Sequence, residues 1–254
     1  MMRVTQIFIL LILLIFGPAN AAEKVKYVGQ ELSGEIKLTH ENKIFLPPGM
    51  WEVSAITKTR GSTPWFNAAF VQIANSEIKA VLIIGYPREP VTNGWYRGSD
   101  DTCDDYDGQQ SNFHDKNVKT QANAIMSGIC SAIYANTEVD QSLWDGWDVM
   151  RDTHEFIAQK NVKEYPAGLI HIDSSWYAKT HMANIYYSYN PEFSHITSKR
   201  GDWTKSDWSK YKIDDFPIKK AFMNKAIFSH QMVIDNSLKG YKKRKPVDLT
   251  PYDF

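Results

Sequence analysis

Long hydrophobic runs are scarce in this chain. Ile7 to Phe16 is an unbroken apolar stretch of ten residues, and after it the longest is Ala80 to Ile84. Ten apolar residues are about half of what a membrane-spanning helix needs, and five have the length of a buried strand. Net charge is also missing: 29 basic residues balance 29 acidic ones, so no global field attracts nucleic acid or an anionic membrane. Catalytic signatures are absent too. There is no Gly-x-Ser-x-Gly elbow and no phosphate-cradling glycine loop. His154-Glu155 does not extend to His-Glu-x-x-His, because Ala158 stands at the required position. An outer-membrane barrel is disfavoured by Pro246 and Pro251 in the last segment and by helical patterns in the middle.

What is present begins with an address. Arg3 precedes the Ile7–Phe16 run, Gly17-Pro18 breaks any helix, and Ala19-Asn20-Ala21 offers small residues where a signal peptidase reads. Residues 1–21 are therefore expected to be a secretory signal, giving a periplasmic or secreted chain with no transmembrane segment after its removal. The remaining residues suit a single α+β domain over 22–241, with sub-units 43–136 and 142–241 as an alternative, followed by a tail over 242–254.

Only two cysteines occur, Cys103 and Cys130. In an oxidising compartment an isolated pair is expected to form a disulfide. A bridge closing about 27 residues is worth roughly 3–4 kcal/mol in the chain-entropy picture.

Alternation predicts strands at Glu35–Thr39, Lys43–Leu46 and Met50–Thr57, with a Pro47-Pro48-Gly49 turn between the last two. Phe66–Ala74 and Ile78–Tyr86 read as a hairpin joined at Asn75-Ser76-Glu77. Val81–Ile84 is apolar on both faces and so should be central. Val118, Ala122, Ile125, Ile129 and Ile133 fall at helical spacing and predict an amphipathic helix over 117–136. A second helix is predicted over 142–159. Gly168–Trp176 and His181–Tyr189 give another hairpin. A third helix follows Asp214-Asp215, with Pro217 in its first turn and Gly240 just past its end. The expected architecture is antiparallel hairpins in one or two sheets packed on about three helices. Tyr86, Glu89 and Arg97 recur at one offset as Tyr189, Glu192 and Arg200, which suggests two hairpin–loop–helix units.

Several clusters carry candidate chemistry. His171 and Asp173 are two apart on a strand and share a face, and His181 lies on the partner strand. Such a group could bind zinc or orient a general base; the plainer reading is the polar face of a half-buried hairpin. Asp100, Asp101, Asp104, Asp105 and Asp107 crowd one loop and could hold calcium. The EF-hand form is excluded, because Cys103 and His114 would fill its first and twelfth positions. Trp95, Trp203 and Trp208 lie in or near loops, where stacked rings can grip a ligand or close over a modest core. The Lys239–Lys245 run suits a solvated helix end.

Phe45-Leu46-Pro47-Pro48-Gly49-Met50-Trp51-Glu52-Val53 resembles an N-terminal signature of exported bacterial proteins of unknown function, in which Leu-Pro-Pro-Gly-x-Trp precedes β-hairpins. Tyr189-Asn190-Pro191-Glu192, and Trp203 to Trp208 ahead of a final helix, are similar to their C-terminal half. The resemblance implies a bacterial envelope location and no activity, substrate or site residues. The reading favoured by the residues is an exported protein that binds a ligand or envelope partner through aromatic and acidic loops without turning it over. A hydrolase using His171, Asp173 and His181, with or without zinc, is one alternative. A calcium-stabilised envelope structural protein is another. No cofactor is expected beyond those metals, and the partner is unspecified.

Overall fold

A computed structural model describes residues 22–39, 42–60, 64–88, 112–119 (backbone only), 128–136, 147–162, 165–178, 181–202, 205–241 and 243–254. The strands are β1 (Glu23–Lys24), β2 (Glu31–Leu32), β3 (Glu35–Lys37), β4 (Lys43–Phe45), β5 (Trp51–Lys58), β6 (Trp65–Ala74), β7 (Glu77–Pro87), β8 (Asn112–Lys119), β9 (Gly128–Asn136), β10 (Leu169–Ala178), β11 (His181–Tyr189) and β12 (Val247–Asp248). Two α-helices occur among the described residues, α1 (Asp148–Gln159) and α2 (Pro217–Tyr241).

Eight strands form one antiparallel sheet in the order β2-β5-β6-β7-β11-β10-β9-β8, and β1, β3, β4 and β12 form a smaller mixed sheet. The β6–β7 turn puts Asn75 at φ 55° and Ser76 at φ 62°, the paired left-handed conformation whose twist matches that of the strands it joins. β7 lies between β6 and β11, and Val81, Leu82, Ile83 and Ile84 are all buried. The expectation of a central strand covered on both sides holds.

The Pro47-Pro48-Gly49 corner is a structural device. Trp51 is buried and its Nε1 donates to the Pro47 carbonyl at 2.9 Å, while Gln72 Nε2 donates to the Pro48 carbonyl at 3.0 Å. Gly49 has φ 105°, and a Cβ there would stand 2.5 Å from Gln72 Nε2. Only glycine fits both constraints.

One face of the large sheet carries Trp51, Phe70, Leu82, Ile84, Ile133, Ile172 and Tyr187. It packs against Phe222, Met223, Val233 and Ile234 of α2 and against the small sheet through Ile36, Ile44, Val247 and Leu249. The other face meets α1 through Val149, Phe156 and Ile157, set on Ala55, Ala69, Val71, Val81 and Ile83. A bulge between Val53 and Ala55 turns both Ser54 and Ala55 toward α1, where Ser54 Oγ meets Thr153 Oγ1 at 3.1 Å. Because α1 packs over β5 and β6, it lies to one side of the sheet half formed by β9, β10 and β11.

Three expectations are corrected. The helix over 117–136 is replaced by β8 and β9 wherever this span is described. Ile129 and Ile133 are four apart, a spacing compatible with either period. β9 is buried on both faces, so Cys130, Ala132 and the isoleucines hide the alternation. Two α-helices stand among the described residues, and where a helix was expected near 117 those residues form β8 and β9, so among the described residues the repeat extends to the hairpins alone. Their last strands, β7 and β11, pair antiparallel. The C-terminal stretch is no tail: β12 pairs parallel with β4, and Val247, Leu249 and Tyr252 are buried. The preceding Lys-rich run masked this short apolar pattern. Gly240 lies inside α2, and the chain reverses instead at Arg244, whose φ is 59°.

Candidate functional site

Strand register assembles the site. His171 of β10 is flanked by Tyr134 of β9 and Ser188 of β11; two residues on, Asp173 is flanked by Ala132 and Tyr186. Side chains of one row share a face, and alternate rows repeat it. This is the face on which α1 lies. The row spacing brings Tyr134 OH to Asp173 Oδ2, donating at 2.7 Å, and stacks the Tyr134 ring on His171 at 4.8 Å and 16°. Ser188 Oγ lies 2.8 Å from His171 Nδ1, and His171 Nε2 is buried without a hydrogen-bond partner.

These groups line a cavity of about 220 Å³, walled by Val81, Ile83, Met150, Leu169, Trp147 and Tyr186. Trp147 is 48% exposed at the start of α1, and its ring meets Tyr186 edge-on at 5.0 Å. Trp147, Tyr186 and Ile83 also border a groove of about 400 Å³ that adds Trp65, Asn67, Gly85 and Asn184. Gly85 is necessary there, since a Cβ would lie 2.7 Å from Asn67 Oδ1 and 3.5 Å from the Trp65 ring.

Burial sets the protonation states. Asp173 is 6% exposed, and burial pushes its carboxyl up to about 7 against the lowering effect of the Tyr134 hydroxyl. Burial pushes His171 down to about 4, so the imidazole is neutral at pH 7. Tyr186 is raised, first by burial and then by the Asp173 charge. A carboxyl poised near neutrality beside a neutral imidazole can donate or accept a hydrogen bond, or exchange a proton with a ligand.

His181 is not part of this group. It points to the opposite face, its ring set against Tyr241 at 4.6 Å, and its Nε2 donates to the Tyr241 carbonyl at 2.6 Å. The His171, Asp173, His181 constellation expected for zinc or a general base is therefore divided by the sheet. Among the described residues, no group of three or more His, Cys, Asp or Glu could hold a metal. Ser188 and His171 resemble a nucleophile–base pair, but Asp173 Oδ2 accepts from Tyr134 and no carboxylate bonds His171 Nε2.

Trp208 is a second correction. It is 2% exposed; its Nε1 donates to Ser198 Oγ at 3.0 Å, Phe222 packs on it edge-on, and Lys219 Nζ lies over its ring. It belongs to the core rather than to a ligand site. His154 is half-buried and bonded to the Tyr165 hydroxyl, as a boundary histidine would be. Asn190 of the recurring motif holds the two hairpins together: its Nδ2 donates to the Ile78 carbonyl at 3.0 Å and its Oδ1 caps Glu192. Trp95, Trp203, Cys103, the five loop aspartates and residues 1–21 lie outside the described residues.

Tyr134, Trp147, Tyr186 and Ser188 were not among the residues singled out from the sequence. A period of two over 128–136 would have shown Tyr134 on the same face as Cys130 and Ala132. Ser188 and Tyr186 become visible only once register is known. No family model, no curated protein and no solved structure matches this chain.

Proposed function

We propose that this chain is a ligand-binding protein whose site is the cavity over β9, β10 and β11. The observation that carries the reading is that Asp173, a buried carboxyl, and His171, whose Nε2 is buried without a hydrogen-bond partner, together line a largely apolar chamber. Apolar walls with a few convergent polar groups characterise small-molecule sites. Buried polar groups without partners are costly unless something satisfies them. At about 220 Å³ the chamber is smaller than the roughly 300–1,000 Å³ usual for drug-sized ligands. The ligand is accordingly fragment-sized, or it reaches past Trp147 and Tyr186 into the adjoining groove.

Ligand-detected NMR with a fragment set tests this on the purified protein. Fragments should bind, and Trp147→Ala should weaken them at least tenfold without lowering the melting temperature, because Trp147 is half exposed and caps the wall. Fragments that fail to bind, or that ignore the substitution, refute the site.

We further propose export to the periplasm or beyond, with the leader over 1–21 removed and Cys103 bridged to Cys130. Cys130 is buried in β9 and is not a free cysteine. Intact mass of the protein recovered from its cells should give a chain starting at Ala22 with no alkylatable thiol. A retained Met1 or two reactive thiols would refute export with oxidation.

A further inference from the structure

Asp173 is the buried carboxyl of the site, and no cationic side chain among the described residues pairs with it; their ion pairs lie elsewhere, as Lys219 with Asp207 and Lys43 with Glu35 do. A carboxylate in an apolar surrounding needs a counter-charge or a proton. Around it stand three aromatic rings: Tyr134, which donates to it, Tyr186, its cross-strand neighbour, and Trp147, packed edge-on against Tyr186. Aromatic faces attract cations and repel anions. His171 adds an unpartnered Nε2. When Nδ1–H donates to Ser188 Oγ, that Nε2 carries a lone pair able to accept from an ammonium N–H.

We propose that the cavity binds a small organic primary amine in its protonated form, with Asp173 as counter-ion, His171 Nε2 as a second acceptor and the Tyr134, Tyr186 and Trp147 rings as its walls. This rests on the cavity being the ligand site and adds the chemical class of the ligand. Below about pH 7 the carboxyl gives up its proton to solvent when the cation arrives, and above it the carboxylate is already ionised, so in both cases the bound pair is neutral overall. An anionic ligand is excluded by the same carboxyl and by the absence of any described cation in the wall.

Calorimetric titration with benzylamine and with benzyl alcohol, which match in size and differ in charge, tests the inference at pH 8. Wild type should bind benzylamine at least tenfold more tightly than benzyl alcohol. Asp173→Asn keeps an acceptor for Tyr134 and should erase that preference. His171→Gln should weaken benzylamine while leaving benzyl alcohol within twofold. Equal binding of both probes, each weakened by Trp147→Ala, would overturn the amine class and leave the cavity reading standing. Benzylamine binding unaffected by Asp173→Asn would also overturn the amine class. Failure of both probes, together with failure of the fragment set, would overturn the two readings at once.

Discussion

Wild type should hide a pH dependence that two substitutions reveal. Asp173 titrates near 7 in the fold against an ordinary 3.8. Between those values the folded chain holds a proton that the unfolded chain has lost, so stability falls as pH rises. At about 1.4 kcal/mol per pH unit the loss over that window is about 4 kcal/mol. His171 acts in the other direction. It titrates near 4 in the fold against 6.5. Between those values the unfolded chain holds a proton that the fold rejects, so stability rises with pH by about 3 kcal/mol over the window. From pH 4 to 6.5 the two slopes oppose and nearly cancel. Asp173→Asn removes the falling slope, so its stability relative to wild type should climb by about 1.4 kcal/mol per unit from pH 4 to 7. His171→Gln removes the rising slope, so its relative stability should drop by about the same amount per unit between pH 4 and 6.5 and level off above. Urea midpoints measured at half-unit pH steps read both differences directly. Two flat differences would refute the burial of these groups. Slopes of reversed sign would mean that His171 and Asp173 fold as an ion pair, contrary to the neutral site described here.

Leu249→Ala should cost about 2–5 kcal/mol, because Leu249 is fully buried and its removal leaves a cavity between α2 and the small sheet. Urea denaturation would show less than about 0.5 kcal/mol if the C-terminal stretch were a solvated tail. Ser76→Gly should raise stability by roughly 0.5–1 kcal/mol, because Ser76 sits at φ 62° where a side chain is strained. A lower melting temperature for that variant would refute the left-handed turn between β6 and β7.

Much of the sheet was legible because local chemistry specifies it. Asn75 tolerates the left-handed region and Ser76 is a small turn residue, so the β6–β7 hairpin follows from these two residues and their alternating flanks. Pro47, Pro48 and Gly49 mark a corner in any context. The failures share one cause. β9 is buried on both faces and β12 has only two residues, so neither displays an alternation of polarity by which to recognise it. Trp208 illustrates a related limit: an aromatic in an irregular segment reads the same whether it faces a ligand or the core, and only Phe222 and Ser198 around it settle which.

The candidate site divides along the same line. That His171 and Asp173 face the same way follows from a strand period of two and needs no tertiary information. Where His181 points depends on register. Ala178 pairs with His181 while His171 pairs with Ser188, so His181 takes the parity of the even-numbered residues of β10 and faces α2. One residue more or less between the strands would have turned it toward Asp173. The raised carboxyl and the neutral imidazole are likewise products of packing. Charge and side-chain type are written in the chain, but the loss of water that shifts their protonation comes only when β9, β11 and α1 close around them.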